Sequence, residues 1–323
     1  MTRAVVVVLL LAGVLIALGL VLSERLFGDA TSVVVVPSST AQHPPATLPL
    51  DAPRGDGAAA KAAVVEAVLL SVRGRVQTRH GEDAWKDAVV DAVLDDDDSV
   101  RTGRNAEASV RLGNGVEVRL SPRSELRVRE LTEAVSNVRL DEGHVIASVG
   151  GGGRTLRVQA KGSDAEAESQ VGTFGVVTDG RGQLAVAATT GTVRVTAAGS
   201  VVEVAAGQST SVEAGKAPSP PTEVPSSLYL KLGALAATQT NQTATTVAGT
   251  TVPGALVRIG DQLSTSDARG RFAMRVPLRD GTNTISVEVI DASGRRQDQR
   301  LPSVVVDREK PKIDAEVQWA RPK

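Results

Sequence analysis

The chain has 323 residues, with 36 Lys and Arg against 37 Asp and Glu, a formal charge of −1, and no cysteine. This balance lacks the strongly basic face of a nucleic-acid-binding protein, and the missing thiols exclude disulfides, iron–sulfur clusters, thiolate zinc sites and lipid attachment through cysteine. Aromatic residues are only 2% of the chain, too few for stacking platforms, so the interior must be built from Val, Leu and Ala.

Residues 4–22 read AVVVVLLLAGVLIALGLVL, without a charge or a hydrogen-bonding side chain. A helix of that length covers roughly 28 Å at about 1.5 Å per residue, close to the hydrocarbon thickness of a bilayer. The sequence therefore predicts a transmembrane helix over 4–22. Residues 1–3 form a cytoplasmic tail, because Arg3 and the terminal amine favour the inside. This is a single-pass bacterial inner-membrane topology, with the bulk of the chain periplasmic. Secretion after signal cleavage is the alternative. The long apolar run and the poor Ala17-Leu18-Gly19 cleavage site favour the uncleaved anchor.

Residues 23–63 read as a Pro-rich linker, with Pro37, Pro44, Pro45, Pro49 and Pro53 among small polar residues. Its 37–60 stretch reaches roughly 75 Å at about 3.1 Å per residue if polyproline-like.

A first β module is expected over 64–215. It opens with an apolar stretch at 62–70 that suits a short helix or a first strand. Val110-Arg111-Leu112, the turn Gly113-Asn114-Gly115, and Val116, Val118 and Leu120 form a hairpin signature. Similar reversals are expected at Glu142-Gly143, at Thr190-Gly191 and at Gly207. The run at 150–153 reads as a glycine hairpin, since no Walker lysine follows it. Gly74-Arg75-Val76, Gly143-His144-Val145 and Gly191-Thr192-Val193 share a Gly-x-Val step. It marks either tight turns or the corners of a coiled β architecture.

A second Pro-rich linker over 216–227, carrying Pro218, Pro220, Pro221 and Pro225, separates a module at 228–308. There, short apolar strands alternate with Asp/Gly turns at Gly254, Asp267, Gly270, Asp280, Gly281, Asn283 and Asp291, which predicts an antiparallel sandwich. Residues 309–323 form a mildly basic tail. Trp85, Phe174, Tyr229, Phe272 and Trp319 are expected to plug cores.

No motif supplies catalysis, a metal or a cofactor. His43, His80 and His144 are the only histidines, and no nucleophile elbow accompanies them. They read as surface or turn residues. Asp95 to Asp98 reads as a solvated loop rather than a calcium site, because neighbouring strand residues point to opposite faces and EF-hand spacing is absent. Asp261, Asp267, Asp280 and Asp291 read as turn residues, whose side chains bond the backbone two residues on.

In the first module, Gly74, Val76, Trp85, Asp98, Thr102, Gly103, Gly115, Gly143, Gly172, Thr173, Phe174, Gly191, Val193 and Gly207 stand in an order and spacing that resemble the FecR domain. The resemblance implies an all-β periplasmic β-roll or short β-solenoid. The best-known members of that family are transmembrane regulators with a cytoplasmic sigma-factor-binding domain and a periplasmic part that meets an iron transporter. Three residues before the helix leave no room for such a domain, so any output is expected in a partner chain. The second module is similar to bacterial immunoglobulin-like domains of the glucodextranase type, which are mostly spacers or adhesive modules.

The whole reads as a mainly β, non-enzymatic, membrane-anchored envelope protein for binding or scaffolding. Its expected contacts are the inner membrane, through residues 4–22, and an envelope protein or cell-wall polymer, with no nucleic acid. Peptidoglycan or polysaccharide binding is one alternative. FecR-type signalling through a partner chain is another.

Overall fold

The structure is a computed structural model, and it describes residues 65–308. The expected helix at 4–22, the tail at 1–3, the linker at 23–63 and the tail at 309–323, with His43 and Trp319, lie outside the described residues. Among the described residues there are strands only, and no helix is long and apolar enough to cross a membrane.

Sixteen strands make a first body. They are β1 (Ala67–Arg73), β2 (Val76–His80), β3 (Lys86–Asp87), β4 (Val93–Leu94), β5 (Asp98–Thr102) and β6 (Glu107–Leu112). Next come β7 (Val116–Leu120), β8 (Glu125–Leu131), β9 (Val135–Val149), β10 (Thr155–Ala160) and β11 (Glu166–Ser169). The last are β12 (Gly172–Thr178), β13 (Leu184–Ala197), β14 (Ser200–Ala205), β15 (Gln208–Val212) and β16 (Thr222–Glu223). The 62–70 ambiguity thus resolves as a strand from Ala67, which suits a run of β-branched and apolar residues beside a sheet.

Two layers share these strands. The first runs β4-β1-β6-β7, the second half of β9, β12, the first half of β13, β15 and β16. The second runs β3-β2-β5-β8, the first half of β9, β10, β11, the second half of β13, and β14. Alternation sends one side of each strand inward. In β7, Val116, Val118 and Leu120 are buried between Glu117 and Arg119. The inward residues of both layers form one apolar cluster, with Phe174 and the enclosed leucines and valines of β6, β7, β8, β9 and β13 among its members.

The reversals expected at Glu142-Gly143 and Thr190-Gly191 are not turns. Each glycine sits inside one long strand, β9 or β13, where the chain crosses from one layer to the other. Gly143 has φ +100° and Gly191 φ +73°. A Cβ at Gly143 would lie 2.4 Å from Ser124 Oγ, and one at Gly191 would lie 2.3 Å from the Val171 carbonyl oxygen. Both positions therefore need glycine for the bend itself. At Gly207 the chain also crosses, since β14 and β15 pair with different halves of β13 and not with each other. Gly74, the remaining member of the Gly-x-Val set, lies at the crossing from β1 to β2.

The segment 150–153 is not a hairpin either. It returns the chain to the second layer, where β10 runs parallel to the first half of β9 with Val138 opposite Val158. That is one turn of a coil within an otherwise antiparallel body, and it keeps Leu156 and Val158 on the core side.

Residues 216–227 are laid along the body rather than hanging free. Ser219 donates its amide to the Ser211 carbonyl at 2.9 Å, β16 pairs with β15, and Val224 donates to the Gly207 carbonyl at 2.8 Å.

A second body follows: β17 (Lys231–Leu232), β18 (Gln239–Thr240), β19 (Ala244–Thr250), β20 (Leu256–Ile259), β21 (Gln262–Thr265), β22 (Arg271–Pro277), β23 (Gly281–Asn283), β24 (Ser286–Ile290), β25 (Arg296–Arg300) and β26 (Val304–Val306). Its sheets run β17-β19-β22, β21-β20-β24-β25 and β18-β26-β23. Pairing is antiparallel except between β18 and β26. Val247, Val257, Ile259, Phe272, Met274, Val287 and Val289 form its core.

Candidate functional site

The second body docks on the outer face of the first layer. Val177, Ala185 and Ala187 of the first body meet Leu256, Ile290 and Ala292 of the second in a separate apolar cluster. The sequence allows this because β12 and the first half of β13 are apolar on both faces. Residues 184–188 are all buried, with Leu184, Val186 and Ala188 facing the core and Ala185 and Ala187 facing the seam. Small residues make the approach close. A Cβ at Gly175 would lie 1.7 Å from the Ala292 carbonyl oxygen, and one at Gly254 would lie 2.7 Å from the Ala185 Cβ.

Polar clasps ring that cluster. Arg104 reaches Asp261 at 2.8 Å. Arg123 donates to the Gly260 carbonyl at 2.6 Å, and Arg258 donates to the Arg123 carbonyl at 3.4 Å. Arg295 donates to the Pro225 carbonyl at 2.5 Å. Between the clasps lies a pocket of about 300 Å³, lined by Arg104, Arg123, Arg258 and Asp261 with Glu125 and Glu142 on its wall.

His144 sits at this seam, 1% exposed, not on the surface or in a turn as its place after Gly143 suggests. The crossing at Gly143 turns the side chain toward the docked body. Its Nδ1 lies 2.7 Å from Ser121 Oγ, and its Nε2 lies 3.4 Å from the Ala292 carbonyl oxygen. This fits a neutral ring that accepts from the serine hydroxyl and donates to the carbonyl. Burial pulls its pKa from 6.5 to about 4, with Arg296 adding to the drop and Ala292 and Asp291 opposing it. The serine–histidine pair faces a backbone carbonyl rather than an orienting carboxylate, which makes it a structural clamp. The surface reading does hold for His80, which pairs with Asp98 at 2.8 Å; that hydrogen bond and the Asp98 charge raise its pKa.

The outer face of the second layer is open and carries a ladder of ion pairs. Arg79 meets Glu125 at 3.3 Å, Arg139 meets Asp141 at 2.6 Å, and Arg157 meets Glu168 at 2.9 Å. Lys161 joins Asp141 at 3.3 Å. Arg139 and Lys161 hold the Asp141 carboxyl below its ordinary pKa against the cost of its burial. Trp85 lies on this face rather than in the core, with Arg79 and Arg101 guanidinium carbons 4.5 and 4.1 Å from its ring centroid. Trp85 is half-buried and Tyr229 exposed, so neither ring plugs a core, whereas Phe174 and Phe272 are buried in theirs.

The residues that carry the FecR resemblance gather mostly at layer crossings. Thr102 Oγ1 donates to the Ser121 carbonyl at 2.6 Å and accepts from the Ser124 amide at 2.9 Å. Gly103 donates to the Arg75 carbonyl at 2.8 Å, and a Cβ at Gly74 would lie 2.8 Å from the Asn105 carbonyl oxygen. Gly172 and Thr173 pack beside Gly191 and Thr190, Gly115 closes the β6–β7 hairpin, and Val76, Phe174 and Val193 are core residues. In the second body, Asp267 accepts the Arg269 and Arg271 amides at 2.9 and 2.8 Å. Asn283 ties Arg279 and Gly281, and Asp291 accepts the Arg295 amide at 2.9 Å. Asp280 pairs with Arg308 at 3.0 Å, while Gly270 and Gly281 take positive φ at turns. Asp98 accepts the Asp95 amide at 2.9 Å, and Asp97 pairs with Arg129 at 2.9 Å. Among the described residues, no three His, Asp or Glu gather as a metal site.

Residues 98–213 match the family model described as FecR protein. That range covers most of the first body; Gly74, Val76 and Trp85 precede it. No curated protein matches the chain. Among solved structures, the chain is similar to two structures from Parabacteroides distasonis, each provisionally described as an anti-sigma factor. They are 21% and 20% identical, each with a TM-score of 0.34, over 39% of this chain and 59% of that one. It is also similar to a polysaccharide lyase at 9% identity and TM-score 0.19, over 75% of this chain and 40% of the lyase. At those scores the likeness fixes neither fold nor function. The FecR match does not reach the second body, whose immunoglobulin-like character rests on its sequence pattern alone.

Proposed function

We propose that the chain is a non-enzymatic binding or scaffolding protein of the bacterial envelope that takes part in signalling through a partner protein. The observation that carries this is the FecR match over 98–213 on a folded two-layer body. Residues 4–22 anchor it in the inner membrane with the bulk periplasmic. The second body serves as an immunoglobulin-like buttress rather than a free spacer. The charged outer face of the second layer is the surface that a protein partner reads, because the docked body covers the β12 and β13 region of the other face.

Two measurements test this. Membranes washed at alkaline pH retain the full chain if the anchor is uncleaved and release it if it is not. Photo-crosslinkers at Arg157 and Arg194 in vivo are expected to capture a regulator or transporter of envelope signalling. Adducts with peptidoglycan alone would replace this reading with the wall-binding one.

A further inference from the structure

The seam pocket gathers Arg104 and Arg123 of the first body with Arg258 of the second. Arg258 is 4% exposed, and it spends two nitrogens on Glu288 at 3.1 Å and the Arg123 carbonyl at 3.4 Å. Its buried Nε–H has no acceptor. Burial lowers its guanidinium pKa, Glu288 opposes that, and the neighbouring Arg123 and Arg296 charges add to it. A carboxylate already sits at the mouth: Asp261, 2.8 Å from Arg104 and 3.9 Å from Arg123. Its side chain is 84% exposed and stands on the β20–β21 hairpin tip, so it is an anion held loosely from the opposite body. The acidic wall does not cancel the pocket. Glu125 is engaged by Arg79, its pKa is raised by burial and by Asp141, and Glu142 is exposed to solvent.

We propose that this pocket binds a small anion, a carboxylate or phosphate group on a body no larger than about one sugar ring, by displacing Asp261 from Arg104 and Arg123. Guanidinium forks suit both groups, because two parallel N–H donors match two oxygens. The bound anion bridges Arg104 and Arg123 of the first body to Arg258 of the second. It therefore takes over a clasp that the chain otherwise makes for itself. The assignment stands on the pocket and not on the signalling reading.

Calorimetric titration of the full chain in detergent at low salt, with glucuronate, inorganic phosphate and glucose, tests it. Glucuronate or phosphate is expected to bind and glucose is not; the stronger of the two anions identifies the group recognised. Asp261→Asn, which removes the internal competitor, is expected to tighten binding several-fold. Arg104→Gln, at an exposed position that leaves the fold intact, is expected to weaken it by about tenfold, one charge-assisted hydrogen bond. A melting curve matching the wild type confirms that Arg104→Gln is folded. No heat from either anion with wild type and Asp261→Asn overturns the proposal, as does binding unchanged in Arg104→Gln.

Discussion

The docking patch on one outer face of the first body and the charged ladder on the other belong to one sandwich and obey opposite rules. On the first layer, Gly175, Val177, Ala185 and Ala187 are small or apolar and lie under the second body. On the second layer, the equivalent outward positions carry Arg79, Arg139, Arg157 and Arg194, paired with carboxylates. A face that stays wet can be built from charges that cost little. A face that meets another body must shed them, because an unpaired buried charge is expensive. At the docked patch the chain is finished, and on the charged ladder it still offers a surface.

Gly175→Val is the sharpest way to break that contrast. Its Cβ has no room beside the Ala292 carbonyl, so the bodies must part. We expect a loss above about 3 kcal/mol, the upper end of overpacking, and a single thermal transition splitting into two. Leu256→Ala removes an enclosed side chain from the seam and should cost about 2–4 kcal/mol by chemical denaturation. Acid is the next test. Above pH 6.5, His144 is neutral in both folded and unfolded chains. As pH falls from 6.5 toward about 4, the unfolded chain binds a proton that the folded seam refuses, so stability falls across that window. The full effect is roughly 3 kcal/mol, of which only part is spent at mildly acidic pH. His144→Gln should flatten the slope, and an unchanged slope would mean that another group governs it. Arg157→Gln on the open face sets the lower bound. An exposed ladder pair should cost below about 1 kcal/mol and leave docking untouched, read by denaturation and by protease resistance at 216–227.

Much of this was legible in the sequence. The Val110–Leu120 alternation with Gly113-Asn114-Gly115 gives a true hairpin, and the Asp267 and Asn283 side chains close their own turns. The crossings at Gly143 and Gly191 were not legible. A glycine flanked by valines satisfies positive φ equally in a tight reversal and in a strand bent over the edge of a sandwich. Only the long-range neighbours Ser124 and Val171 separate the two. The seam did leave a signal in the unbroken apolar run at 184–188, where a strand with one wet face would alternate. His144 left none, since its burial depends on a body more than a hundred residues away.

Because β9 and β13 each belong to both layers, the two sheets are stitched together by continuous backbone at two points. Such a sandwich has no plane of cleavage. Its layers cannot slide over one another or part like a book without tearing hydrogen bonds from a strand that both need. A load arriving from a partner on the second layer therefore passes through β9 and β13 to the docked body as it would through a rigid frame, with little lost to internal give.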